Sequence, residues 1–213
     1  MLFRSEQLGA HHENDERFIE GLRNGWRVLR SDRPLFTFTI GLTLMSGLYM
    51  PIDTVIYPTH FEAINNPTGL GAVLSAIALG VVIGAFAYGR LAKRVPNSLL
   101  LRVIVITSTA ALLPMGFLPS TPIFVTFAFL TGLAWGPFNP LWNSVVQRRI
   151  EPTSQGRIYG LQMSLLYAAP PLGQLLIGWS IESFGLRGTF SVVLAIFALC
   201  AVLIATRRSL QSL

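Results

Sequence analysis

Six long apolar segments, separated by short polar stretches, constrain this chain more than any other feature of its sequence. The segments are Leu35–Tyr57, Gly69–Leu91, Leu99–Leu118, Ile123–Val146, Ile158–Ile181 and Thr189–Thr206. A helix needs about 20 mostly apolar residues to cross a bilayer, because the hydrocarbon core is about 30 Å thick. Each segment is close to that length, so the sequence predicts an all-α membrane protein with six transmembrane helices.

Charged residues are too few to cover the surface of a soluble domain. They make up 12% of the 213 residues, and hydrophobic residues make up 52%, whereas soluble domains carry about 25% charged residues. The net charge of +6 is divided among separate clusters between the apolar segments, so no single basic patch suggests a nucleic-acid partner. The partner that this composition indicates is the lipid bilayer.

Lysine and arginine fall almost entirely on one side of the predicted membrane. Fifteen of the sixteen lie in the first 33 residues, around the second and fourth connections, or at the C-terminus, and Arg187 alone lies opposite. Because cytoplasmic loops carry the excess of Lys and Arg, we expect both termini to be cytoplasmic in a plasma (inner) membrane. The expected domains are a tail of residues 1–33, a transmembrane domain of residues 34–207 and a C-terminal stretch of residues 208–213.

Part of the tail has the pattern of a helix that lies on a membrane surface. In Asp15–Arg30, apolar side chains recur at helical spacing with arginines on the flanks, which is typical of a basic amphipathic helix. The apolar positions are Phe18, Leu22, Trp26 and Leu29. The adjacent His11 and His12 supply too few ligands for a metal site, and no cofactor is expected.

Two connections between apolar segments share a pattern. Gly89–Leu99 and Gly178–Arg187 each begin with Gly, carry a charged residue four places later and reach a turn-forming residue seven places later. One joins the second and third segments, and the other joins the fifth and sixth. Since three is an odd number of crossings, a repeated three-helix unit must run upside down the second time. The pattern therefore suggests two inverted three-helix repeats, a device of secondary transporters.

Asp53 is the one acidic residue well inside a predicted span, at about four-fifths of the length of the first, just after Pro51. An ionisable residue at membrane depth is a functional candidate. One interpretation is a protonatable or cation-binding carboxylate in a cavity, whose proton uptake and release could be coupled to movement. The alternative is an aspartate at the membrane surface that reaches outer water.

The fourth and fifth segments carry most of the other polar side chains. The candidates for substrate or ion binding there are Trp135, Asn139, Trp142, Asn143, Gln162 and Tyr167. Amides at helical spacing can hydrogen-bond a substrate or hold helices together, and tryptophans can stack on a cationic ligand. Both interpretations stay open for the amides.

Glycines and prolines predict how the helices pack. Gly80 with Gly84, and Gly132 with Gly136, have the GxxxG spacing that allows close approach of two helices. Six prolines predict kinks, which spanning helices tolerate where neighbouring groups satisfy the freed carbonyls. These are Pro51, Pro114, Pro137, Pro140, Pro170 and Pro171.

Several motifs resemble the C-terminal six-helix half of a major facilitator superfamily transporter. They are GRLAKRVPN after the second segment, LGQLLIGWSIESFGLRGTF through the fifth and sixth, and RRIEPTSQGRIYG, which looks like the P-x-x-x-x-G-R segment of drug and siderophore exporters. The resemblance extends from about Trp26 to Arg207. Its loop-motif residues here are Gly89, Lys93, Arg94, Gly156 and Arg157.

The resemblance implies export of a small molecule, driven by an ion gradient, commonly of protons. It also implies that the first helix of each three-helix unit lines a cavity, which places Asp53, Asn139 and Asn143 toward substrate. The chain departs from the family pattern at Lys93, where an acid is usual, and at Pro96, where Gly is usual, so a gating role for Lys93 does not carry over. Family members have twelve helices, so we expect a missing N-terminal half or a second copy as partner.

Two rival functions remain to be weighed. An intramembrane serine protease needs a Ser and a His within hydrogen-bond reach, and none of the three His residues lies inside a predicted span. An ATP-driven pump needs a phosphate-binding loop that ends in GK[ST], which does not occur. The sequence therefore favours a transporter over an enzyme, with a non-transporting scaffold or regulatory half-transporter subunit as the alternative.

Overall fold

The computed structural model describes residues 25–27 and 29–207, and all regular secondary structure in this part of the chain is helical. We number the α-helices α1 to α7 in chain order. They are α1 (Arg33–Pro51), α2 (Tyr57–Ala63), α3 (Pro67–Leu91), α4 (Asn97–Leu112), α5 (Thr121–Trp135), α6 (Phe138–Arg149) and α7 (Pro152–Thr206). A π-helical turn, Ile52–Ile56, joins α1 to α2, and a 3-10 turn, Leu113–Phe117, follows α4.

Five helical stretches in the described residues are long and apolar enough to cross a membrane. They are Arg33–Ala63, Pro67–Leu91, Asn97–Phe117, Thr121–Arg149 and Pro152–Thr206. Large apolar side chains cover much of their outer surface, and Phe86, Phe117 and Leu175 are each more than 70% exposed. An apolar surface of this extent suits the hydrocarbon of a bilayer, which confirms the prediction of an all-α membrane protein.

The fifth stretch is interrupted at Gly185. Its 55 residues would make a rod of about 80 Å at 1.5 Å per residue, well over the thickness of a membrane. Gly185 has φ 75° and ψ 163°, which is not helical and which residues other than Gly rarely adopt. The sequence placed a turn-forming residue at this position, but the predicted connection around it is otherwise helical.

Contacts with the first stretch show that the chain reverses direction at Gly185. Before Gly185, α7 runs parallel to α1, and after Gly185 it runs antiparallel. The parallel contacts are Ser46 with Leu166 and Thr54 with Gln174. The antiparallel contacts are Gly41 with Ile204, Tyr49 with Phe197 and Tyr57 with Phe190.

Three of the predicted proline kinks coincide with a break in α-helical geometry. Pro51 ends α1 before the π-helical turn, Pro114 lies in the 3-10 turn, and Pro137 separates α5 from α6. Proline lacks an N–H and crowds the carbonyl four residues before it, which explains the breaks. The remaining three lie within helices: Pro140 in α6, and Pro170 and Pro171 in α7.

Glycines hold α3 and α5 together, as the GxxxG spacing predicted. A Cβ atom on Gly84 would meet the carbonyl oxygen of Leu133, and one on Gly132 would meet that of Ile77. The backbones are therefore in direct contact, a geometry in which Cα–H groups face carbonyl oxygens across the interface. Gly80 and Gly136 make the same kind of contact.

Polar contacts join the helices at both ends of the bundle. Asp32 caps α1 by accepting a hydrogen bond from the backbone N–H of Leu35 at 3.0 Å, and its carboxylate pairs with Arg149 at 3.0 Å. At the other end, the Asn66 amide donates to Thr121 Oγ1 at 3.1 Å. Most of the predicted amphipathic helix Asp15–Arg30 lies outside the described residues.

Candidate functional site

A cavity of about 320 Å³ lies between α1 and the middle of the fourth and fifth stretches. Its walls are mainly apolar, with a few polar groups that point inward. The lining residues are Leu42, Met45, Ser46, Tyr49, Met50, Asp53, Ser108, Leu112, Thr131, Trp135, Phe138, Asn139, Met163, Leu166, Tyr167 and Phe197. Cavities of this kind, apolar with a few convergent polar groups, are typical binding sites for small molecules.

Asp53 is the one acidic residue in the cavity wall, and it lies on the π-helical turn that follows Pro51. π-Helical turns within α-helices are frequent at functional sites. The side chain is half-buried, and its Oδ1 atom is buried without a hydrogen-bond partner in the described part of the chain. Tyr49, four residues earlier and so on the same face, also lines the cavity.

The opposite wall comes from the break between α5 and α6. Trp135 ends α5, and its ring stacks on Phe138 at 4.3 Å between centroids and 12° between planes. Asn139 follows one residue later, with its side chain exposed to the cavity. The stacked rings give an apolar surface beside a free amide, which can orient an amphipathic molecule by hydrogen bonding at one end.

The third wall comes from α7. Tyr167 is 63% exposed, and it lines the cavity together with Met163 and Leu166. Ser46 of α1 donates a hydrogen bond to the carbonyl oxygen of Leu166 at 3.2 Å, which fixes the distance between these two walls. The structure therefore brings together four of the predicted site residues: Asp53, Trp135, Asn139 and Tyr167.

Three other predicted residues do not line the cavity. Trp142 is buried one turn beyond it and stacks on Phe38, and Gln162 is buried on α7. Asn143 is exposed on α6 away from the cavity. The helical stripe of amides thus reaches the cavity at Asn139 alone, since the wall closes one turn later.

The loop-motif residues lie away from the cavity, at the end of the bundle that holds Asp32. Gly89 is at the end of α3, and Lys93 and Arg94 form the turn after it. Gly156 and Arg157 are exposed in the first turns of α7. Among the described residues, Lys93 and Arg94 have no carboxylate within ion-pair distance.

Two features of the site were missed at the sequence level. Ser46 and Tyr49 line the cavity, and the spacing of Tyr49 four residues before Asp53 was the signal that could have found it. His60, which the sequence placed outside the predicted spans, belongs to the first helical stretch. The first helical stretch extends to Ala63 rather than Tyr57, and His60 is buried in it, stacked on Phe124 at 5.7 Å.

Within the part of the chain that the structure describes, no group of three or more His, Cys, Asp or Glu side chains could hold a metal ion. The arrangement instead offers one carboxylate, one free amide, phenol hydroxyls and apolar rings around an open space. Such a site can bind and release a small molecule.

Comparison with known sequences adds an independent line of evidence. The family model described as Major Facilitator Superfamily matches residues 54–211. The multidrug efflux pump Tap of Mycobacterium tuberculosis is 35% identical over 197 residues, which are 92% of this chain and 47% of that protein. The homologous pump of Mycolicibacterium fortuitum is 34% identical over 198 residues, covering 91% and 47%.

A more distant relative is the macrolide efflux protein A of Streptococcus pyogenes. It is 24% identical over 205 residues, covering 92% of this chain and 51% of that protein. The chain thus spans about half the length of the curated relatives it matches. No solved structure gives a significant match.

Proposed function

The chain belongs to the major facilitator superfamily, and from this premise we propose that it takes part in the export of a small organic molecule across a membrane. The observation that carries the proposal is the mainly apolar cavity whose wall includes both Asp53 and Asn139. The relatives named as multidrug and macrolide efflux proteins support export as the direction.

The substrate that suits these walls is an amphipathic organic molecule. Trp135, Phe138 and Phe197 offer aromatic surface, while Asn139 and Tyr167 offer hydrogen bonds. Apolar walls discriminate weakly between related molecules, which is compatible with a site that accepts several compounds.

We further propose that the export is driven by protons through Asp53. The carboxylate faces the cavity and one of its oxygens has no hydrogen-bond partner in the described part of the chain. A carboxylate in such a position can take up a proton from one side and release it to the other when the cavity changes its access, which is how ionisable residues act as relays in transporters.

Two inverted three-helix units are the architecture we propose, with six crossings in all. The reversal at Gly185 supports a fifth and a sixth crossing within Pro152–Thr206. The tight contacts also recur at equal separations: Gly84 of α3 packs on the backbone of α5, and Gly173 of α7 packs on the backbone of α1. Gly80 and Ala169 are as far apart along the chain as Gly84 and Gly173, and so are Gly89 and Gly178.

These six crossings are proposed to form one half of a twelve-helix transporter. The partner is an N-terminal six-helix half or a second copy, and both termini of this chain are placed in the cytoplasm. The excess of Lys and Arg at the Asp32 end of the bundle supports this orientation. Residues 1–33 and 208–213 are then cytoplasmic and residues 34–207 transmembrane.

Efflux of ethidium from cells tests the proposal. The chain is expressed alone and fused to the upstream half of a close relative, and dye accumulation is followed with and without a protonophore. We expect reduced accumulation in the assembled form, abolished by the protonophore and by Asp53→Asn. The control is Glu62→Gln, an exposed acid outside the cavity, which should export normally.

The outcomes separate the parts of the proposal. Efflux that persists in Asp53→Asn and with the protonophore would refute proton coupling but not export. Folded protein at the membrane without efflux in any assembly, or efflux that neither Asp53→Asn nor Asn139→Leu changes, would instead indicate the scaffold or regulatory subunit.

A further inference from the structure

Three aromatic rings close the cavity toward the end of the bundle that holds Asp32. Phe38 of α1 stacks on Phe138 of α6 at 5.7 Å and on Trp142 at 4.8 Å between centroids. Phe138 belongs to the cavity wall, and Phe38 lies one turn before Leu42, which also belongs to it. We call Phe38, Phe138 and Trp142 the aromatic layer; it forms the floor of the cavity.

The helices on either side of this floor are held by side chains rather than by close backbones. The pair α1 and α6 is not among the closely packed helix pairs. The gap between them is bridged by the aromatic layer and, one step further out, by the ion pair of Asp32 with Arg149 at 3.0 Å. Contacts of this kind can separate and re-form, unlike the glycine contacts between α3 and α5.

The level of the aromatic layer also holds three polar atoms that the closed structure leaves unsatisfied. Thr39 Oγ1, Trp142 Nε1 and Gln162 Oε1 are buried and have no hydrogen-bond partner within residues 25–27 and 29–207. Thr39 follows Phe38 in sequence, and Gln162 lies one turn before Leu166, toward the N-terminal end of α7. These side chains are respectively 0%, 3% and 2% exposed.

Buried polar groups without partners are rare in native proteins, and each one destabilises the state that contains it. A floor that stayed closed permanently would be more stable with Val and Met in place of Thr39 and Gln162. The cost is explained if these atoms gain partners in a second state, because a group that is unsatisfied in one state biases the equilibrium toward the other.

We propose that the aromatic layer is a gate, and that Thr39, Trp142 and Gln162 are the residues that set its opening. When Phe38 leaves the stack, the three polar atoms face the enlarged cavity and hydrogen-bond to water or to polar groups of the substrate. The stack stabilises the closed state, and the unsatisfied atoms oppose it, so that neither state dominates completely. The proposal rests on the proposed function only in requiring a cavity that opens.

The test uses two nearly isosteric variants that remove an unsatisfied atom, Thr39→Val and Gln162→Met, in the full chain in membrane vesicles. Each is combined with Cys200→Ser and a reporter, Ser46→Cys, which lies on the cavity wall. The first readout is the midpoint of thermal unfolding. The second is the rate at which a membrane-impermeant maleimide labels the reporter from one side of the membrane. That side is identified by a separate variant, Thr153→Cys, because Thr153 is exposed.

Both variants should unfold at a higher temperature, because the closed state no longer holds an unsatisfied group. For the same reason, the reporter cysteine should be labelled more slowly, by up to about fivefold. Thr189→Val is the first control, since its Oγ1 is also buried without a partner but lies outside the aromatic layer. It should unfold at a higher temperature with an unchanged labelling rate.

Thr109→Val is the second control, because its buried hydroxyl donates to the Val105 carbonyl at 2.7 Å; its unfolding temperature should not rise. The proposal is overturned if Thr39→Val and Gln162→Met unfold at a lower temperature, if their labelling rate is unchanged, or if Thr189→Val slows labelling equally. Because no transport is measured, this result is independent of whether ethidium is exported.

Discussion

Two helix–helix interfaces in the bundle depend on close glycine contacts, but the residues beside those contacts differ. Between α3 and α5, Gly80, Gly84, Gly132 and Gly136 bring two backbones into contact, and Asn66 bonds to Thr121 at one end of the pair. Between α1 and α7, Gly173 packs on the carbonyl of Gly47, but Pro51 follows one turn later, and the π-helical turn with Asp53 comes directly after it. The helices of the first interface are unbroken through Gly80, Gly84 and Gly132, and the second interface is irregular where it meets the cavity.

The difference separates a structural interface from a functional one. Both depend on small residues, because lipid supplies no hydrophobic drive for helices to associate and packing must do so instead. Only the interface beside the cavity contains the proline and the π-helical turn that direct a carboxylate inward. The contact of Gly173 with Gly47 and Pro51 holds the start of that irregular stretch against α7.

The largest effect is expected at the regular interface. Gly84→Val places a side chain against the Leu133 carbonyl and Gly136 Cα, where the nearest atoms are backbone and cannot yield. Overpacking of this kind costs about 3 kcal/mol or more, so little folded protein should reach the membrane. Gly71→Val, on the same helix with open space around it, is the control. Equal yields of both would show that the contact is dispensable.

At the irregular interface a smaller substitution should have a smaller effect, but one that reaches the cavity. Gly173→Ala brings a methyl group against the Gly47 carbonyl and to 2.9 Å from Pro51 Cγ. We expect a loss of about 1–3 kcal/mol of stability and reduced efflux, because Pro51 precedes Asp53. Denaturation and ethidium efflux are measured beside Gly178→Ala, which has open space around it. A stability loss without a transport defect would contradict the coupling of this interface to the site.

A substitution in the cavity wall that leaves both interfaces unchanged should affect substrate binding alone. Asn139→Leu removes an exposed amide from the wall, and one hydrogen bond contributes about 0.5–1.5 kcal/mol. The apparent Km for ethidium efflux should therefore rise by up to about tenfold at unchanged protein level. Asn143→Leu, one turn away and outside the cavity, should leave the Km unchanged, and a matching rise there would refute the assignment.

The smallest effect is expected from the polar contact at the edge of the irregular interface. Thr54→Val removes the hydrogen bond that Gln174 donates to Thr54 Oγ1 at 3.1 Å in an exposed position. Interhelical hydrogen bonds in membranes contribute about 0.6 kcal/mol on average, so unfolding should shift only slightly. Thr126→Val, whose hydroxyl bonds only within its own helix, gives the baseline. A loss several times larger would mean that this contact, and not Gly173, holds the two helices.

Much of this architecture follows from segment length and from glycine spacing. The apolar segments had to become helices of membrane length, and GxxxG pairs had to mark a close contact. Both are local properties of the sequence. The turn at Gly185 was also foreseeable, although a single non-helical residue proved sufficient to form it.

The faces that line the cavity were harder to predict. In a soluble helix an apolar stripe marks the core, but here lipid and core are equally apolar, so periodicity does not distinguish them. Asn139 and Asn143 share one stripe, and only the position of Phe38 and Trp142 decides that the cavity ends between them. The stacking of Phe38 on Trp142 joins two helices that are about 100 residues apart in the chain, so no local sequence pattern could predict where the cavity ends.

The π-helical turn at Ile52–Ile56 also sets the phase of the helix beyond it. A single π-helical turn holds one residue more than the α-helical turn it replaces, and one residue corresponds to about 100° of rotation. Tyr57 and Phe61, both fully buried in the aromatic packing around Phe124, owe their inward direction to that extra residue. A one-codon deletion at Thr54 would turn these rings by about 100° relative to α1 and away from the core, so the length of this turn fixes which side chains of the following helix are buried.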